Sequence, residues 1–538
     1  MENMVQPELR SNLPDWAIPA RIVIGVTGHR KLDNYPALAD AIRSAIDSIK
    51  QMVPPLKHTP LLFYVLSPLA EGGDRLVARE VLKVPEAMLE VVLPVKKDDY
   101  MTDFKTDESR KEFESLLSQA KNVRILPSRG NRVEAYEQVG HYIVDQCDVL
   151  IALWDGKLSA GRGGTQEIVQ YTRENHCPLV WIHTDNPAQI EFEMARGIDT
   201  KPFHDLDEYN SERTNPHKFK TQLSRDTNYF NSQAEKAKLS SNRFRSFVEY
   251  IWVHYVRGDI LALNYQHLYY RAETLIYALA LAAIVIAAFQ ILFVPDRPVI
   301  LISEIGFMLA ALTIVWVSHR QRWHDKWIDY RFLAERFRSA LVMAVANVEV
   351  TVLRPLRHLS LAYSPKDWMV VAFTSVWSQR PQLQMSDSSL FEGVKHFLCE
   401  AWIEDQIRYH DGTGKRHYRR YQRMAIASYV LFGLTIVVAL LHVLNFGSHL
   451  LETTFAFMAI IFPAIAASIT AIRTHRDYLR NSMRSAEMVG HLKELKEKMV
   501  RVQNLDGFLT LVKEAEETML HENEDWRVVV RFHKTEPV

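Results

Sequence analysis

Three glycine-rich loops in the first third of the chain carry the residue types best suited to binding a phosphate group. They read GVTGHR from Gly25, SPLAEGGDR from Ser67, and WDG from Trp154 followed by GRGGTQE from Gly161. Glycine lets backbone N–H groups approach a ligand closely, and the N-terminus of a helix favours an anion. Each loop follows an apolar run, and the last two lead into helical patterns. The loops therefore predict a site for a phosphate-bearing ligand.

Side chains in the same loops supply the rest of the chemistry. Arginine forks onto phosphate oxygens, carboxylates accept ribose hydroxyls, and an indole ring can flank a base. The side chains in these three roles are Arg30, Arg75 and Arg162; Glu71, Asp74 and Asp155; and Trp154. The full set of predicted ligand-binding residues is Thr27, Gly28, Arg30, Ser67, Glu71, Gly72, Asp74, Arg75, Trp154, Asp155, Gly156, Gly163, Gly164 and Thr165.

Each of these features also has a purely structural explanation. A single glycine loop is most often a tight turn, and a tryptophan at a strand end, such as Trp154, is most often a core residue. Asp74 and Arg75 are also compatible with a helix cap or a surface pair. Three such loops at successive strand ends favour a ligand site over these explanations.

The elements around the loops predict how they meet. Residues 20–185 alternate continuous apolar runs, such as RIVIGVTG, with amphipathic helical patterns, such as YPALADAIRSAIDSIKQM. Repeated strand–helix units indicate a parallel sheet covered by helices on both faces. Ligands of such sheets bind at the carboxyl ends of the strands, which is where the three loops fall. The predicted fold is this α/β domain followed by an all-α membrane domain.

Four apolar runs predict the membrane domain. The first two lie between Leu275 and Ser318 around the turn PDRP, and the second two cover 424–444 and 453–472 around NFGSHLLE. Each run is about 20 residues long, which at about 1.5 Å per residue spans about 30 Å of hydrocarbon. Four runs in two pairs predict two membrane hairpins. Glu304 and His442 are polar groups near the outer ends of their spans, and Pro463 is expected to kink the fourth.

Charged residues predict the orientation of the hairpins. Lys and Arg precede the first and third spans and follow the second and fourth, whereas the two connecting loops hold Arg297 and no other Lys or Arg. Cytoplasmic flanks carry the Lys/Arg excess. We therefore expect both termini and the α/β domain in the cytoplasm. The net charge is zero, which gives no general electrostatic reason to expect a nucleic-acid partner.

The cysteines and the N-terminus limit the alternatives. Cys147, Cys177 and Cys399 are too few and too scattered for a disulfide framework or a zinc site, and they fit a reducing compartment. No metal site and no cofactor are predicted beyond the phosphate-bearing ligand. The N-terminal segment has no apolar signal core, so the internal spans are expected to drive membrane insertion.

The membrane region contains an internal repeat. Trp252 precedes the first span as Trp402 precedes the third, and Ala334-Glu335 follows the second span as Ala486-Glu487 follows the fourth. Similar residues about 150 positions apart indicate a duplicated unit of helix, membrane hairpin and helix. The predicted boundaries are a tail at 1–19, the α/β domain at 20–185, a polar linker at 186–246, the first unit at 247–345, a connecting segment at 346–400 and the second unit at 401–538.

Two resemblances to known families follow from these motifs. VTGHR, LSPLAEGGDRLVA and ALWDGKLSAGRGGTQEIV resemble the SLOG superfamily, which includes LOG-type nucleotide phosphoribohydrolases, the DNA-processing protein A fold and nucleotide-sensing domains of membrane channels. The resemblance implies a Rossmann-like α/β sheet and a nucleotide-derived ligand. The LOG enzymes use PGGxGTxxE, whereas Glu167 here follows Thr165 by two residues rather than three. Binding is therefore implied more directly than catalysis.

The duplicated unit resembles the SLATT group of two-span modules associated with SLOG domains, on the basis of WIEDQIRYH and ETMLHENEDW. This resemblance implies a homo-oligomeric, pore-forming effector of bacterial antiviral defence in the inner membrane. An alternative is a membrane-tethered nucleotide or NAD hydrolase with Glu71, Asp74 or Glu167 as catalytic candidates. A third is a scaffold whose pocket is vestigial.

Overall fold

The computed structural model describes residues 14, 16–127, 131–157, 164–194, 197–346, 367–381, 383 and 390–531, with the side chains of Pro298 and 521–531 left out. The strands are β1 Ala20–Gly28, β2 Leu61–Ser67, β3 Met88–Leu93, β4 Ala120–Ile125, β5 Val149–Trp154, β6 Leu179–His183 and β7 Ile190–Glu193. The helices are α1 Tyr35–Met52, α2 Gly73–Val81, α3 Lys97–Tyr100, α4 Asp107–Gln119, α5 Arg132–Gln146, α6 Thr165–Glu174, α7 Lys201–Ser211, α8 Pro216–Lys236, α9 Asn242–Phe293, α10 Leu301–Arg320, α11 Trp323–Val345, α12 Trp368–Gln379, α13 Phe391–Phe397, α14 Glu404–Val443, α15 His449–His475, α16 Tyr478–Arg501 and α17 Leu505–Arg531.

The chain forms two compact units. The first, the sheet unit, comprises Met1–Arg213 and Ser364–Arg380, and the second, the helical unit, comprises Thr214–Tyr363 and Pro381–Val538. The chain therefore leaves the sheet unit, returns to it once, and leaves it again.

The sheet unit contains a seven-stranded sheet in the order β4-β3-β2-β1-β5-β6-β7. All neighbouring strands are parallel except β6 and β7, which are antiparallel. The strand order reverses between β1 and β5, and that reversal is the topological switch point of a doubly wound sheet. The predicted α/β fold class is confirmed.

The apolar sequence explains the position of the central strands. Every residue of β5 is buried, and β1 is buried from Ile22 to Val26. Helix α1 places Leu38, Ile42, Ile46 and Ile49 at helical spacing on one buried face. Strands and helices of this kind enclose the core on both faces of the sheet.

The sheet unit extends beyond residue 185, through segments expected as linker and connector. Strand β7 adds an antiparallel edge, and Asn210 at the end of α7 accepts a hydrogen bond from Ile18 N, two residues before β1. Its Nδ2 atom donates to Ile18 O at 2.8 Å and to Thr59 Oγ1 at 2.9 Å. These buried hydrogen bonds attach α7 to the sheet.

Helix α12 returns from the segment between the two hairpins. It contacts α7, β1 and β4, and eight of its twelve residues are buried. Ser378 Oγ lies 2.8 Å from Tyr64 Oη, and the rings of Trp368 and Tyr209 lie 5.3 Å apart. A helix that is apolar on most faces must be buried, which explains its position in this unit.

Four helices of the helical unit, α9, α10, α14 and α15, are long and apolar enough to cross a membrane. Their lengths and positions match the predicted spans. Spans 1 and 2 belong to α9 and α10, and spans 3 and 4 to α14 and α15. The four-span prediction of the fold class is confirmed.

The two membrane modules fold alike. In each, a long helix enters the first span of a hairpin, and a charged helix packs back along it after the second span: α11 against α9, and α16 against α14. Gly258 faces Ala334 in the first pair, and Gly414 faces Ser485 in the second; a Cβ at either glycine would lie 3.2 Å from the facing side chain. Small residues at both crossings let the helices approach closely.

Across the described residues, the spans pack as an open row rather than a closed ring. α10 contacts α9, α9 contacts α15, and α15 contacts α14. Phe293 and Phe457 meet at the junction of the two modules with ring centroids 5.6 Å apart. Ser428 and Thr470 hydroxyl oxygens lie 3.2 Å apart between α14 and α15. The row leaves apolar side chains exposed on its outer helices, such as Ile302 and Ile436.

Candidate functional site

The switch point brings the first and third predicted loops together. β1 and β5 pair in register, with Thr27 opposite Ala152 and Gly28 opposite Leu153. The backbone N–H of His29 donates to Leu153 O at 3.1 Å, which extends the pairing past the end of β1. The crevice between diverging connections at this point is the usual ligand position in such sheets.

The second loop joins the same place through glycine contacts. Gly73 N donates to His29 O at 3.0 Å, and a Cβ on Gly28 would lie 2.9 Å from Gly73 Cα. Gly72 has φ 82°, and a Cβ there would lie 2.3 Å from His29 O. Two of the three predicted loops therefore touch through backbone atoms, and only glycine fits at Gly72.

His29 and Asp155 form the polar centre of the crevice. His29 Nε2 lies 2.9 Å from Asp155 Oδ1 and 3.2 Å from the Asp155 backbone nitrogen. Lys157 N donates to Asp155 Oδ1 at 3.0 Å. Burial alone would raise the pKa of Asp155, but the Lys157 N–H and His29 outweigh it and lower that pKa to about 2. Asp155 is therefore an ionised acceptor at neutral pH.

Asp74 occupies a contrasting environment in the first turn of α2. Its side chain is 5 % exposed. Burial raises the pKa of Asp74 to about 7, against the opposing effects of a hydrogen bond from the Ala70 N–H and the charges of Arg30 and Arg75. Arg30 itself is exposed, with its guanidinium carbon 5.8 Å from the Tyr136 ring centroid. Arg30 thus remains accessible to a ligand, whereas Asp74 is covered.

Arg75 points away from the crevice and into the sheet unit. Its Nε donates to Leu69 O at 3.0 Å, and its Nη1 donates to Ser109 O at 2.9 Å and to Glu112 Oε2 at 3.0 Å. The guanidinium carbon lies 4.5 Å from the Phe104 ring centroid. These contacts join the second loop to α4. Glu71 accepts a short hydrogen bond from Ser109 Oγ in the same cluster.

Two more predicted residues are built into the loops and the core. Ser67 is fully buried and accepts a hydrogen bond from Leu69 N at 3.0 Å. Trp154 is 6 % exposed, donates from Nε1 to Lys157 O at 3.1 Å, and packs against Trp181 with ring centroids 4.9 Å apart. The structural explanation of Trp154 as a core residue therefore agrees with its contacts.

The third loop is described in part. Gly161, Arg162 and Gly163 lie outside the described residues, while Gly156 has φ 80° in the turn after β5. Gly164 caps α6, its carbonyl accepting from Glu167 N at 3.1 Å. Thr165 is the first residue of α6, so Gly164 and Thr165 stand at a helix N-terminus as the sequence predicted.

A group of possible metal ligands lies beside this N-terminus. Glu137, His141 and Glu167 each bring one ligand atom within 4.8 Å of the others. Glu137 and His141 share a face of α5 at i,i+4 spacing, and Glu167 comes from the first turn of α6. Two carboxylates and an imidazole are a donor set for a divalent cation. The sequence predicted no metal site, on the ground that its three cysteines are too few and too scattered. The possible ligands described here come instead from two helices, with Glu137 and Glu167 30 positions apart.

Sequence reasoning also missed His29. It was recognised as part of the VTGHR loop and given no role, although its imidazole bridges the first and third loops. Its position directly after β1, beside an Asp directly after β5, was the available signal. Strand order was needed to pair the two.

Comparison with known families identifies part of the helical unit. Residues 399–526 match the model of SLATT_1, described as the SMODS and SLOG-associating 2TM effector domain 1. The match covers α14, α15, α16 and most of α17, and the first membrane module lies outside it. No curated relative matches the chain. The resemblance of the sheet unit to the SLOG superfamily stays a prediction. The chain is a multi-pass membrane protein whose second module is similar to SLATT two-span effector domains.

Proposed function

We propose that this protein is a membrane effector of bacterial defence whose sheet unit binds a nucleotide-derived ligand and thereby controls an oligomeric pore. The observation that carries the proposal is the presence, in one chain, of a doubly wound sheet with its switch point and a module similar to a two-span effector domain. Sensor and effector are then covalently linked.

The crevice supports a nucleotide-derived ligand. Close backbone contacts at Gly28, Gly72 and Gly73 hold the first two loops together beside the switch point, and the N-terminus of α6 favours an anion. Arg30 supplies an accessible positive charge, and ionised Asp155 supplies an acceptor for ribose hydroxyls. A ligand that carries both a phosphate and a sugar would use the positive charges and the acceptor, whereas a ligand with only one of these groups would use only part of them.

The packing of the spans supports a pore made by several chains. Among the described residues, α10, α9, α15 and α14 pack side by side in an open row. A conducting path therefore requires further copies to close the ring. The spans offer no row of charged side chains, so we expect poor ion selectivity or a hydrophobic constriction as the gate.

The long helix α9 supplies a route for coupling. It runs without a break for 52 residues, from Asn242 through the first span to Phe293. A ligand shifts a membrane equilibrium only if it binds two states differently. Coupling energies are typically about 1–3 kcal/mol per site, so several sensors in an oligomer are needed for a steep response.

Ligand binding and turnover are tested first. Purified full-length protein is incubated with NAD and with nucleoside monophosphates. We expect saturable binding without turnover, weakened by Arg30→Ala and unchanged by Arg110→Ala, a surface arginine of the same unit paired with Asp107. Equal binding by both variants would place the ligand elsewhere.

Pore formation is tested in liposomes that contain the full-length protein and a trapped dye, with ligand on both sides of the bilayer. We expect leakage that depends on ligand and that Arg30→Ala shifts to higher ligand concentrations. Leakage that ignores ligand, or no leakage at saturation, would contradict the pore.

The alternative is a membrane-tethered nucleotide or NAD hydrolase. One observation favours it: burial raises the pKa of Asp74 to about 7, a value suited to a general acid. The 5 % exposure of Asp74 opposes a direct role in the present conformation. Turnover of NAD that Asp74→Asn abolishes would support the hydrolase.

A further inference from the structure

A basic cavity of about 520 Å³ lies in the helical unit where α9, α14 and the junction of α15 with α16 meet. We propose that this cavity binds the phosphate headgroup of an anionic membrane lipid. The residues that carry the argument are Arg271, Arg420, Arg423, Arg476, Tyr270 and Tyr478. They come from both membrane modules, so the cavity exists only where the two modules meet.

The charge of the lining is strongly positive. Four arginines and one histidine face the cavity, and no Asp or Glu lines it. Among the described residues, Arg271, Arg420 and Arg423 form no ion pair with a carboxylate. Arg476 is the exception, with its Nε 3.5 Å from Glu273 behind the cavity wall. At least three guanidinium groups therefore lack an internal counter-charge, and a phosphate would supply it.

Arg476 is held in position by its neighbours. Its Nη2 donates to Tyr270 O at 3.0 Å and to Thr274 Oγ1 at 2.6 Å, and its Nη1 donates to Tyr478 Oη at 3.2 Å. Its guanidinium carbon lies 4.8 Å from the Tyr270 ring centroid. Buried Glu273 also pairs with His475 at 2.9 Å. This arrangement fixes one arginine of the cavity before any ligand arrives.

The depth of the cavity favours a lipid over a soluble anion. Thr274 and Met424 both line it. Thr274 directly precedes Leu275, where the first span begins, and Met424 is the first residue of the third span. The cavity therefore opens at the level of the lipid headgroups. Basic pockets between membrane helices at this level suit anionic headgroups.

The size of the cavity is also appropriate. Ligand pockets typically measure about 300–1,000 Å³, and a phosphate with its glycerol fits well within about 520 Å³. A headgroup in this position would contact α9 of the first module and α14 of the second. It would therefore hold the two modules together at their basic ends.

The test uses full-length protein, purified from membranes, and native mass spectrometry to count retained lipids. Wild type is compared with Arg420→Ala/Arg423→Ala and with Arg419→Ala. Arg419 is an exposed arginine on the same helix that does not line the cavity. Each protein is titrated with phosphatidylglycerol, with phosphatidylcholine, and separately with inorganic pyrophosphate.

We expect wild type and Arg419→Ala to retain phosphatidylglycerol equally and to prefer it to phosphatidylcholine. Two fewer arginines should lower the affinity for phosphatidylglycerol by roughly thirtyfold. Equal retention by the double variant would overturn the site. Binding of pyrophosphate in place of phosphatidylglycerol, with the same dependence on Arg420 and Arg423, would overturn the lipid and assign the cavity to a soluble phosphate.

If the double variant is poorly folded, Arg420→Lys/Arg423→Lys replaces it. Lysine keeps the charge but loses the forked geometry, so an intermediate affinity is expected. An affinity equal to that of wild type would show that general surface charge, and not the cavity, holds the lipid.

Discussion

His29 Nε2 and Asp155 Oδ1 lie 2.9 Å apart across the point where the strand order of the sheet reverses. The contact joins residues 126 positions apart in sequence, each directly after its own strand. It places an ionised carboxylate beside the backbone contact between His29 and Gly73, where the first and second loops meet. This pair shows that the first and third loops meet at the switch point.

Gly72→Ala should unfold or strongly destabilise the sheet unit. A Cβ at this position, which has φ 82°, would lie 2.3 Å from His29 O and 2.5 Å from Arg30 O. Strain and overlap together should cost roughly 3–5 kcal/mol. Gly197→Ala is the matched control, because Gly197 also has positive φ but nothing lies within 4 Å of its Cβ. It should cost only about 1 kcal/mol. Hydrogen exchange of peptides from β1 and α2 measures the loss of stability in both variants. Equal protection of these peptides in Gly72→Ala and Gly197→Ala would refute the close contact at Gly72.

Asp74→Asn should change how stability depends on pH. Because burial raises the pKa of Asp74 from 3.8 to about 7 in the folded protein, the folded state binds the extra proton. The stabilisation of the folded state by this protonation is fully present below about pH 4 and is lost as the pH rises through 7. The loss is as much as about 4 kcal/mol. Wild type should therefore lose stability as the pH rises from about 4 to about 7 and change little above that, and the asparagine variant should be flatter. Parallel melting curves for the two proteins across this range would show that Asp74 is not buried as described.

Glu335→Gln should destabilise the helical unit, whereas Glu487→Gln should not. The sequence repeat aligns the two residues, but Glu335 is 3 % exposed and pairs with Arg331 at 2.6 Å and with Arg338, while Glu487 is exposed. Arg331 also pairs with Asp259 at 2.8 Å. Removing one charge from such a buried network costs roughly 3–5 kcal/mol, and an exposed change costs little. Thermal unfolding in detergent measures the stability of Glu335→Gln and Glu487→Gln against wild type. Similar losses in both variants would mean that the modules are equivalent in packing as well as in sequence.

Cysteine labelling should establish the orientation of the hairpins. In a background without Cys147, Cys177 and Cys399, cysteines at Asp296 and Ser448 should react with an impermeant reagent added outside the cell. A cysteine at Lys415 should react only after the membrane is permeabilised. The Lys/Arg excess at one end of all four spans is the reason. If only the cysteine in place of Lys415 were labelled from outside, the true topology would be the reverse of the predicted one.

The fold was predictable where local pattern suffices. The continuous apolar run of β1 and the membrane-length run in α9 each identify their element without a partner. The rule that parallel strands bind ligands at their carboxyl ends then brought Gly28 and Asp155 to one edge. Fold class and the existence of four spans needed nothing more.

The partners of individual side chains were not predictable. Arg75 was expected at a phosphate, yet it bonds to Ser109 and Glu112, which lie 34 and 37 positions away on α4. Cys147 and Cys177 seemed scattered, yet their sulfur atoms lie 3.8 Å apart. In both cases the contact depends on how helices pack on the sheet. The sequences of the three loop motifs do not specify that packing.

The return of α12 to the sheet unit has a consequence for biosynthesis. Residues Trp368–Gln379 follow both spans of the first hairpin in sequence, yet they pack against β1, β4 and α7. Because a chain is made from its N-terminus, the sheet unit cannot complete its core until the first hairpin has left the ribosome. Membrane insertion of that hairpin therefore begins while the sheet unit is still unfinished. A complete sheet unit should then exist only in chains that are already anchored.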